Sequence, residues 1–187
     1  MKQGQIKQIE RILEDKKVKM HRVEIDLTEE QLQKLQQLVE PKYKHPFERV
    51  DKGENYYFVE PYVDGVFSSL KLTENYNELG DMKFNNGNYY NNKEFAEQVA
   101  MDLNLQQKLR KFTYENGWSD ELWEDTNTMK YSVFFDWLFK NWCFGTTLVN
   151  RNLFDVYFKD AEVARRAIEE VVKPFCQENP NYRFQEE

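Results

Sequence analysis

The sequence predicts an α+β protein built from small antiparallel sheets and helices, and three observations lead to that prediction. Short runs rich in Tyr, Phe and Val, which are typical of strands, are separated by turn residues. Two groups of such runs each end in a helix-capping residue followed by a helical pattern. Aromatic residues make up 16% of the 187 residues, which is enough to form a buried core.

The first part of the chain, residues 1–45, predicts a helical element ahead of the sheets. Within residues 2–17, Ile6, Ile9 and Leu13 follow helical spacing. The apolar pattern covers only about one and a half heptads, too short for a stable coiled coil by itself. Two interpretations stay open: the helix packs on its own domain, or it forms a dimer contact with a second copy.

A strand and a second helix complete this element. Apolar and polar residues alternate over 20–27, which predicts a half-buried strand. A capping-box pattern at residues 28–31 then begins a helix that Pro41 ends. Residues 42–46 are predicted to link this element to the rest of the chain.

An internal repeat organises the remainder. Residues 89–99 align with residues 157–167 at a constant offset of 68. In both copies an aromatic pair precedes a capping residue and a helix. The matched pairs are Tyr89 with Tyr157, Tyr90 with Phe158, Asn92 with Asp160, Glu94 with Glu162, and Ala96 with Ala164.

A candidate hairpin precedes each copy of the repeat. The sequence therefore predicts the order strand, strand, strand, helix twice, with each helix laid across a small sheet. The two units would occupy residues 46–117 and 118–187. Their predicted hairpin strands are 56–59 and 67–72 in the first unit, and 131–135 and 143–149 in the second.

The segments between these strands carry three further predictions. Residues 73–87 are polar and Asn-rich, which indicates a long loop. The helix after residue 92 has an apolar stripe that slips near Asn104, which indicates a kink or two consecutive helices. Gly117 is suited to ending that helix.

The charge is negative and unevenly distributed. The chain carries 26 basic and 33 acidic residues, a formal net charge of −7. Residues 51–129 alone contain 7 basic and 15 acidic side chains, a balance of −8. Because such a surface repels phosphate groups, direct nucleic-acid binding is disfavoured, and docking on a basic protein surface is favoured.

The sequence predicts that the protein is not an enzyme and needs no metal or cofactor. Cys143 and Cys176 form no metal-binding pair, and the two histidines, His21 and His45, lie far from both cysteines in the sequence. No glycine-rich phosphate loop is present. The chain also has no membrane-spanning apolar run and no secretory leader, which predicts a cytoplasmic protein with reduced thiols.

A tryptophan-rich acidic segment is the predicted partner-binding site. Its residues are Trp118, Asp120, Glu121, Trp123, Glu124 and Asp125. On a helix, Glu121 and Asp125 would share one face, so the carboxylates could bind a cation, dock on a protein or simply face solvent. The tryptophans could anchor an interface or cap the ends of the sheets.

The turn at residues 137–142 places four large apolar side chains in a predicted loop. Trp137, Leu138, Phe139 and Trp142 are these residues. The turn is either buried against the other unit or forms an exposed contact patch.

Five segments together carry a family resemblance that covers about residues 44–176: Tyr89–Glu97, Trp118, Trp123–Asp125, Lys130–Val133 and Val156–Asp160. In their order, this chain resembles a broad group of uncharacterised phage, prophage and mobile-element proteins of Firmicutes and gut bacteria. The resemblance implies a mobile-element setting, in which small acidic proteins are often inhibitors of host defence, anti-CRISPR proteins among them.

The sequence therefore favours a binding protein that inhibits a host defence protein, such as a CRISPR effector nuclease. The acidic segment would stand in for phosphates on a basic groove. The alternative is a nucleic-acid-binding accessory protein that uses the aromatic strands and the cluster of Lys108, Arg110 and Lys111.

Overall fold

The structure is a computed structural model that describes residues 43–152 and 155–186. The helices and the strand expected in the N-terminal element lie outside the described residues, as does the dimer contact through the first helix. In the described ranges the chain has the expected α+β class, with antiparallel sheets and packed helices. None of the helices found there is long and apolar enough to cross a membrane.

The first sheet is a hairpin extended by one bridging residue. β1 (Asn55–Pro61) pairs antiparallel with β2 (Phe67–Thr73). On the other side of β1, Tyr57 and Tyr90 exchange two backbone hydrogen bonds of 2.7 Å. Nearby, the Asn88 side chain accepts from the Val59 N–H at 2.7 Å and donates to the Val59 carbonyl at 2.8 Å. The side-chain amide of Asn88 thus extends the row of hydrogen bonds along this edge of β1.

The second sheet has the same arrangement with a fuller third strand. β3 (Lys130–Asp136) lies between β4 (Asn141–Thr147) and β5 (Tyr157–Phe158), and both pairings are antiparallel. In each sheet the first hairpin strand is central, and a segment just before a capped helix pairs with it. Tyr90 precedes the helix that begins at Lys93, and β5 precedes the helix that begins at Ala161. The turn between β1 and β2 includes Gly65, whose φ of +81° suits a residue without Cβ.

Helices follow both sheets. Asn92 Oδ1 accepts from the Phe95 N–H and Asp160 Oδ1 accepts from the Val163 N–H, each at 2.8 Å, so both predicted caps begin helices. The helices are α1 (Glu78–Asn85), α2 (Lys93–Glu115), a 3₁₀ helix (Asp120–Trp123), α3 (Ala161–Ala167), a π-helical turn (Ile168–Val172) and α4 (Lys173–Glu178).

α2 is one uninterrupted helix, so the alternative of two consecutive helices is wrong. The apolar stripe shifts around the helix because α2 packs against two separate hydrophobic clusters. Ala96 and Ala100 pack with the first sheet, whereas Leu105 and Leu109 pack with β5, α3 and α4. Asn104 lies between these halves, and its side chain accepts from the Phe67 N–H at 2.7 Å and donates to the Phe67 carbonyl at 2.8 Å.

The expected loop at residues 73–87 contains a helix, α1, which corrects the prediction. Asn77 caps it by accepting from the Gly80 N–H at 2.9 Å. The sequence gives a weak helical signal because asparagine and glycine have low helix propensity. The buried residues of α1 are Gly80 and Lys83, so the helix also lacks the apolar inner stripe that identifies a helix from sequence.

The C-terminal end of the chain covers the second sheet. Residues from Pro46 onward form one compact unit in which both sheets pack on α2. The division of this part into two units at residues 117 and 118 stays a prediction. Tyr182 donates to Asp102 of α2 at 2.9 Å, and Trp142 of β4 donates to the Phe184 carbonyl at 3.1 Å. The last residues therefore join the middle of α2 to the second hairpin.

Candidate functional site

The predicted site, residues 118–125, is here named the acidic turn. It follows Gly117, whose φ of +86° turns the chain away from the end of α2. Ser119 Oγ accepts from the Glu121 N–H at 3.3 Å and begins the short 3₁₀ helix. That helix ends at Trp123, so Asp125 lies beyond it. Glu121 and Asp125 therefore do not share the face that they would share on one continuous helix.

Asp125 organises the end of the acidic turn. Its carboxylate accepts from the Asn127 N–H at 2.9 Å and from the Thr128 hydroxyl. The hydrogen bond from Thr128, followed by that from the Asn127 N–H, holds the pKa of Asp125 below its usual value. Asp125 is thus a fixed, ionised carboxylate at neutral pH.

The tryptophans of the acidic turn pack inward. Trp118 is 7% exposed and stacks on Tyr157 with ring centroids 6.2 Å apart. Trp123 contacts the same Tyr157 ring edge-on at 4.8 Å. Both rings therefore hold the turn against β5. The anchoring role predicted for Trp118 does not fit this burial, and the alternative that the rings cap the sheet describes its packing.

Two cations lie close to the half-buried Trp123 ring. Lys130 Nζ lies 5.4 Å from the Trp123 ring centroid, and the Arg151 guanidinium lies 5.5 Å from it. Lys130 is 1% exposed and donates to the carbonyl oxygens of Asp125 and Leu148. This buried ammonium fastens the acidic turn to the start of β3.

The carboxylates of the acidic turn face solvent. Asp120, Glu121, Glu124 and Asp125 are all exposed. Arg151 Nη2 lies 3.8 Å from Asp120 Oδ1, an exposed ion pair that adds little stability. In residues 43–152 and 155–186, no group of three or more His, Cys, Asp or Glu side chains is placed to hold a metal ion. The turn presents rigid negative charge on an aromatic base.

A groove beside the acidic turn lies on the outer face of the second sheet. It encloses about 610 Å³ and is open to solvent. Ser132, Gly145 and Tyr157 contribute to its lining, together with Arg151. Burial raises the pKa of the Tyr157 phenol, so this hydroxyl is protonated at neutral pH. The groove can supply hydrogen bonds to a bound side chain.

The turn between β3 and β4 is exposed, so the alternative that it is buried against the other unit is wrong, and its role as a contact patch stays a prediction. Trp137, Leu138 and Phe139 are 58%, 82% and 70% exposed. Asp136 Oδ1 accepts from the N–H groups of Leu138 and Phe139 at 2.8 and 3.1 Å, which fixes the turn. We name these three exposed residues the β3–β4 tip.

The basic cluster of α2 is partly neutralised. Lys108 pairs with Glu178 at 3.6 Å, and Lys111 pairs with Glu115 at 3.7 Å. Arg110, the third member, is exposed. Since two of the three cations face carboxylates, the cluster offers less positive charge than the sequence suggests.

The two cysteines are unpaired in the structure. Cys143 is half-buried, and Cys176 is buried. Burial raises the pKa of the Cys176 thiol, which disfavours the reactive thiolate.

A buried carboxylate cluster is the feature that sequence reasoning missed. Glu74 is 0% exposed and accepts from Arg49 Nε at 3.0 Å, the Tyr89 hydroxyl at 2.8 Å and the Tyr76 N–H at 2.6 Å. Arg49 also pairs with Asp81 at 2.6 Å. The donors come from distant parts of the sequence, so no local spacing indicates the cluster. Its satisfied hydrogen bonds identify a structural role.

Comparisons with protein-family models, with curated proteins and with solved structures find no match to this chain. The functional argument therefore depends on the chemistry and geometry of its own residues.

Proposed function

We propose that the protein is a non-enzymatic inhibitor that occupies a basic, nucleic-acid-binding surface of another protein. The observation that carries the proposal is the exposure of four carboxylates on a turn that Trp118 and Trp123 hold in place by packing on Tyr157. Asp120, Glu121, Glu124 and Asp125 form this set. Four exposed negative charges on one short turn are complementary to a groove built to hold phosphates.

Rigidity favours such binding. Trp118 and Trp123 pack on Tyr157, and Lys130 holds the backbone of the turn, so little conformational freedom would be lost on association. In this proposal the tryptophans position the charged turn. The direct contact is made by the carboxylates, with the half-buried Trp123 beside them.

The setting is part of the proposal. A host defence protein that handles nucleic acid, such as a CRISPR effector nuclease in the bacterial cytoplasm, has the basic groove that the acidic turn requires. The balance of −8 over residues 51–129 would favour encounter with that groove through long-range attraction.

Neutralising the acidic turn tests the proposal. The variant Asp120→Asn, Glu121→Gln, Glu124→Gln and Asp125→Asn keeps side-chain shape while removing four charges. Each amide keeps one acceptor oxygen, so residue 125 can still accept from the Asn127 N–H. Immobilised full-length protein would be used to capture nucleic-acid-binding proteins from a bacterial lysate across a salt series. We expect on the order of tenfold less capture at low salt and a shallower salt dependence.

A matched control separates this effect from a change in net charge. Neutralising Glu94, Glu97, Glu115 and Glu178 also removes four carboxylates, all outside the acidic turn. Capture by this control should stay within about twofold of the unchanged protein. Equal losses in both variants, or no loss in either, would contradict a role for the acidic turn.

The alternative, direct binding of nucleic acid, has less support. Lys108 and Lys111 already face carboxylates, and the β1 aromatics are buried or half-buried. Phe134 and Phe144 of the second sheet are exposed, but they lie on strands that do not carry the basic cluster. Stacking platforms need exposed rings beside free cations. A salt-sensitive gel shift of the isolated protein with DNA or RNA would favour the alternative over the proposed inhibitor.

A further inference from the structure

Helix α1 has an inverted distribution of apolar and polar side chains. Its buried residues are Gly80 and Lys83, with Lys83 7% exposed. Leu79 and Met82 are 44% and 48% exposed. A helix on the surface of a monomer normally turns its leucine and methionine toward the core. Within residues 43–152 and 155–186, nothing described covers the outward side of α1.

The inward side of α1 is explained by the fold. A Cβ atom at Gly80 would lie 3.0 Å from Glu74 Oε1, so glycine lets the helix approach the buried carboxylate. Lys83 Nζ lies 4.4 Å from the Phe58 ring centroid and pairs with Glu60. The glycine and the lysine thus seat α1 on the first sheet, together with Phe84, whose ring lies edge-on to Tyr89 at 5.4 Å. In residues 43–152 and 155–186, Leu79 and Met82 belong to neither of the two clusters packed on α2.

Tyr76, just before α1, is a second and independent observation. Its φ is 53°, a left-handed conformation that is unfavourable for a bulky residue. Glu74 Oε1 holds it there by accepting its N–H at 2.6 Å, and the Arg49 guanidinium lies 4.8 Å from its ring centroid. The ring is nevertheless 52% exposed. The Tyr76 hydroxyl also donates to the Val50 carbonyl at 3.5 Å, so the hydroxyl end of the ring contacts the fold while about half of the residue stays at the surface.

The charges beside these side chains indicate what covers them. Glu78 is exposed, and Asp81 retains 50% side-chain exposure despite its pair with Arg49. A second copy would bring like-charged carboxylates together, and an anionic membrane would repel them. A protein surface that combines an apolar groove with lysine or arginine at its border complements both the apolar residues and the carboxylates.

We propose that Tyr76, Leu79 and Met82, here named the α1 surface, dock into an apolar groove bordered by basic residues on a partner protein. The inference deepens the proposed function, since it depends on a partner with a basic surface. It adds apolar anchors, which contribute affinity in a desolvated contact, to the charge contacts of the acidic turn.

A synthetic peptide provides a defined probe of this surface. The probe is a labelled amphipathic helix of about 18 residues made of Leu and Lys only, long enough to form several helical turns. Full-length protein would be titrated against it by fluorescence anisotropy. We expect binding that the variant Leu79→Ser with Met82→Ser weakens at least tenfold. The variant Leu138→Ser with Phe139→Ser, at the β3–β4 tip, should bind within twofold of the unchanged protein.

Two further peptides test the chemistry of the partner. A Leu/Glu peptide with the same apolar spacing should not bind, and a Ser/Lys peptide should bind weakly and equally to both forms. The milder variant Met82→Gln, which leaves Leu79 in place, should give an intermediate loss. Retention of the thermal unfolding transition in each variant shows that the losses arise at the surface.

Several results would overturn the inference. Equal binding of the Leu/Lys peptide by the unchanged protein and the α1 variant is one, and equal binding of the Leu/Glu peptide is another. A dimer in sedimentation velocity that the α1 variant dissociates would assign the surface to a second copy. Sedimentation with phosphatidylcholine/phosphatidylglycerol vesicles, lost in the same variant, would assign it to a membrane.

The neutralised acidic turn separates the two proposals. If that variant captures lysate proteins normally while the α1 variant loses peptide binding, the proposed function fails and the α1 inference stands. If the variant with the neutralised acidic turn loses capture while the α1 variant keeps peptide binding, the proposed function stands and the α1 inference is overturned.

Discussion

Glu74 illustrates how a single buried charge can hold several segments together. Burial alone would raise its pKa, but hydrogen bonds from Arg49, the Tyr76 N–H and Tyr89 outweigh that effect and lower it. The carboxylate is therefore ionised in the folded protein. Its partners tie residues 49–50, the start of α1 and the residues before α2 to one point.

We predict that Glu74→Gln lowers the free energy of unfolding by about 2 kcal/mol at neutral pH, the range for a hydrogen bond to a buried charge. Denaturant unfolding measures this loss. Because the folded pKa is lowered, the contribution of Glu74 is fully present above its unfolded pKa of about 4.3 and is lost as pH falls toward the folded value. The difference in free energy of unfolding between the unchanged protein and Glu74→Gln should therefore narrow at acidic pH.

The control for this prediction is Glu78→Gln, which changes an exposed carboxylate four residues away. We expect a change below about 0.5 kcal/mol. A gap between Glu74→Gln and the unchanged protein that stays constant down to pH 3 would show that the charge of Glu74 does not contribute.

At the scale of elements, α2 joins the two sheets through different faces. The apolar stripe of α2 shifts at Asn104 because the helix packs on the first sheet before this residue and on the second cluster after it. The Asn104 side-chain amide hydrogen-bonds to the edge strand β2 at Phe67. Such a bond also blocks part of an edge that could otherwise pair with another chain.

We predict that Asn104→Ala destabilises the protein by about 1 kcal/mol. Two hydrogen bonds to Phe67 are lost, and the higher helix propensity of alanine offsets only part of that loss. Chemical denaturation measures the stability, and amide hydrogen exchange at Phe67 should accelerate. Gln107→Ala, at an exposed position of the same helix, should be neutral or slightly stabilising. A stabilised Asn104→Ala variant would contradict the proposed role of the amide.

Local patterns in the sequence predict the hairpins and the caps of α2 and α3 because alternation and capping depend on neighbouring residues. They do not predict α1, whose inner face is shaped by Glu74 and Phe58 from other segments. The π-helical turn before Pro174 is also unpredicted. It accommodates a residue that cannot donate a backbone hydrogen bond inside a helix.

In the candidate site too, some features could be predicted from local sequence and others depend on tertiary contacts. Sequence identifies the exposed carboxylates of the acidic turn because charged residues seldom enter a core. It does not distinguish Trp118 as a buried support from Trp118 as an anchor, since that depends on Tyr157 being brought beside it by the second sheet. Tertiary contacts decide the role of an aromatic residue.

At the scale of the whole molecule, the chain combines a negative balance with exposed apolar groups. Two separate sites carry the proposed contacts: the acidic turn supplies charge, and the α1 surface supplies apolar area. This combination favours fast encounter followed by a desolvated contact, as expected for an inhibitor that competes with a polyanion.

Competition with DNA tests the central claim most directly. A partner protein purified after capture would be loaded with a fluorescently labelled DNA duplex, and the full-length protein would be titrated in while anisotropy is measured. The account predicts that the duplex is displaced, and that displacement weakens as salt rises and in the variant with a neutralised acidic turn. A duplex that stays bound while the protein joins it in a ternary complex would contradict the account.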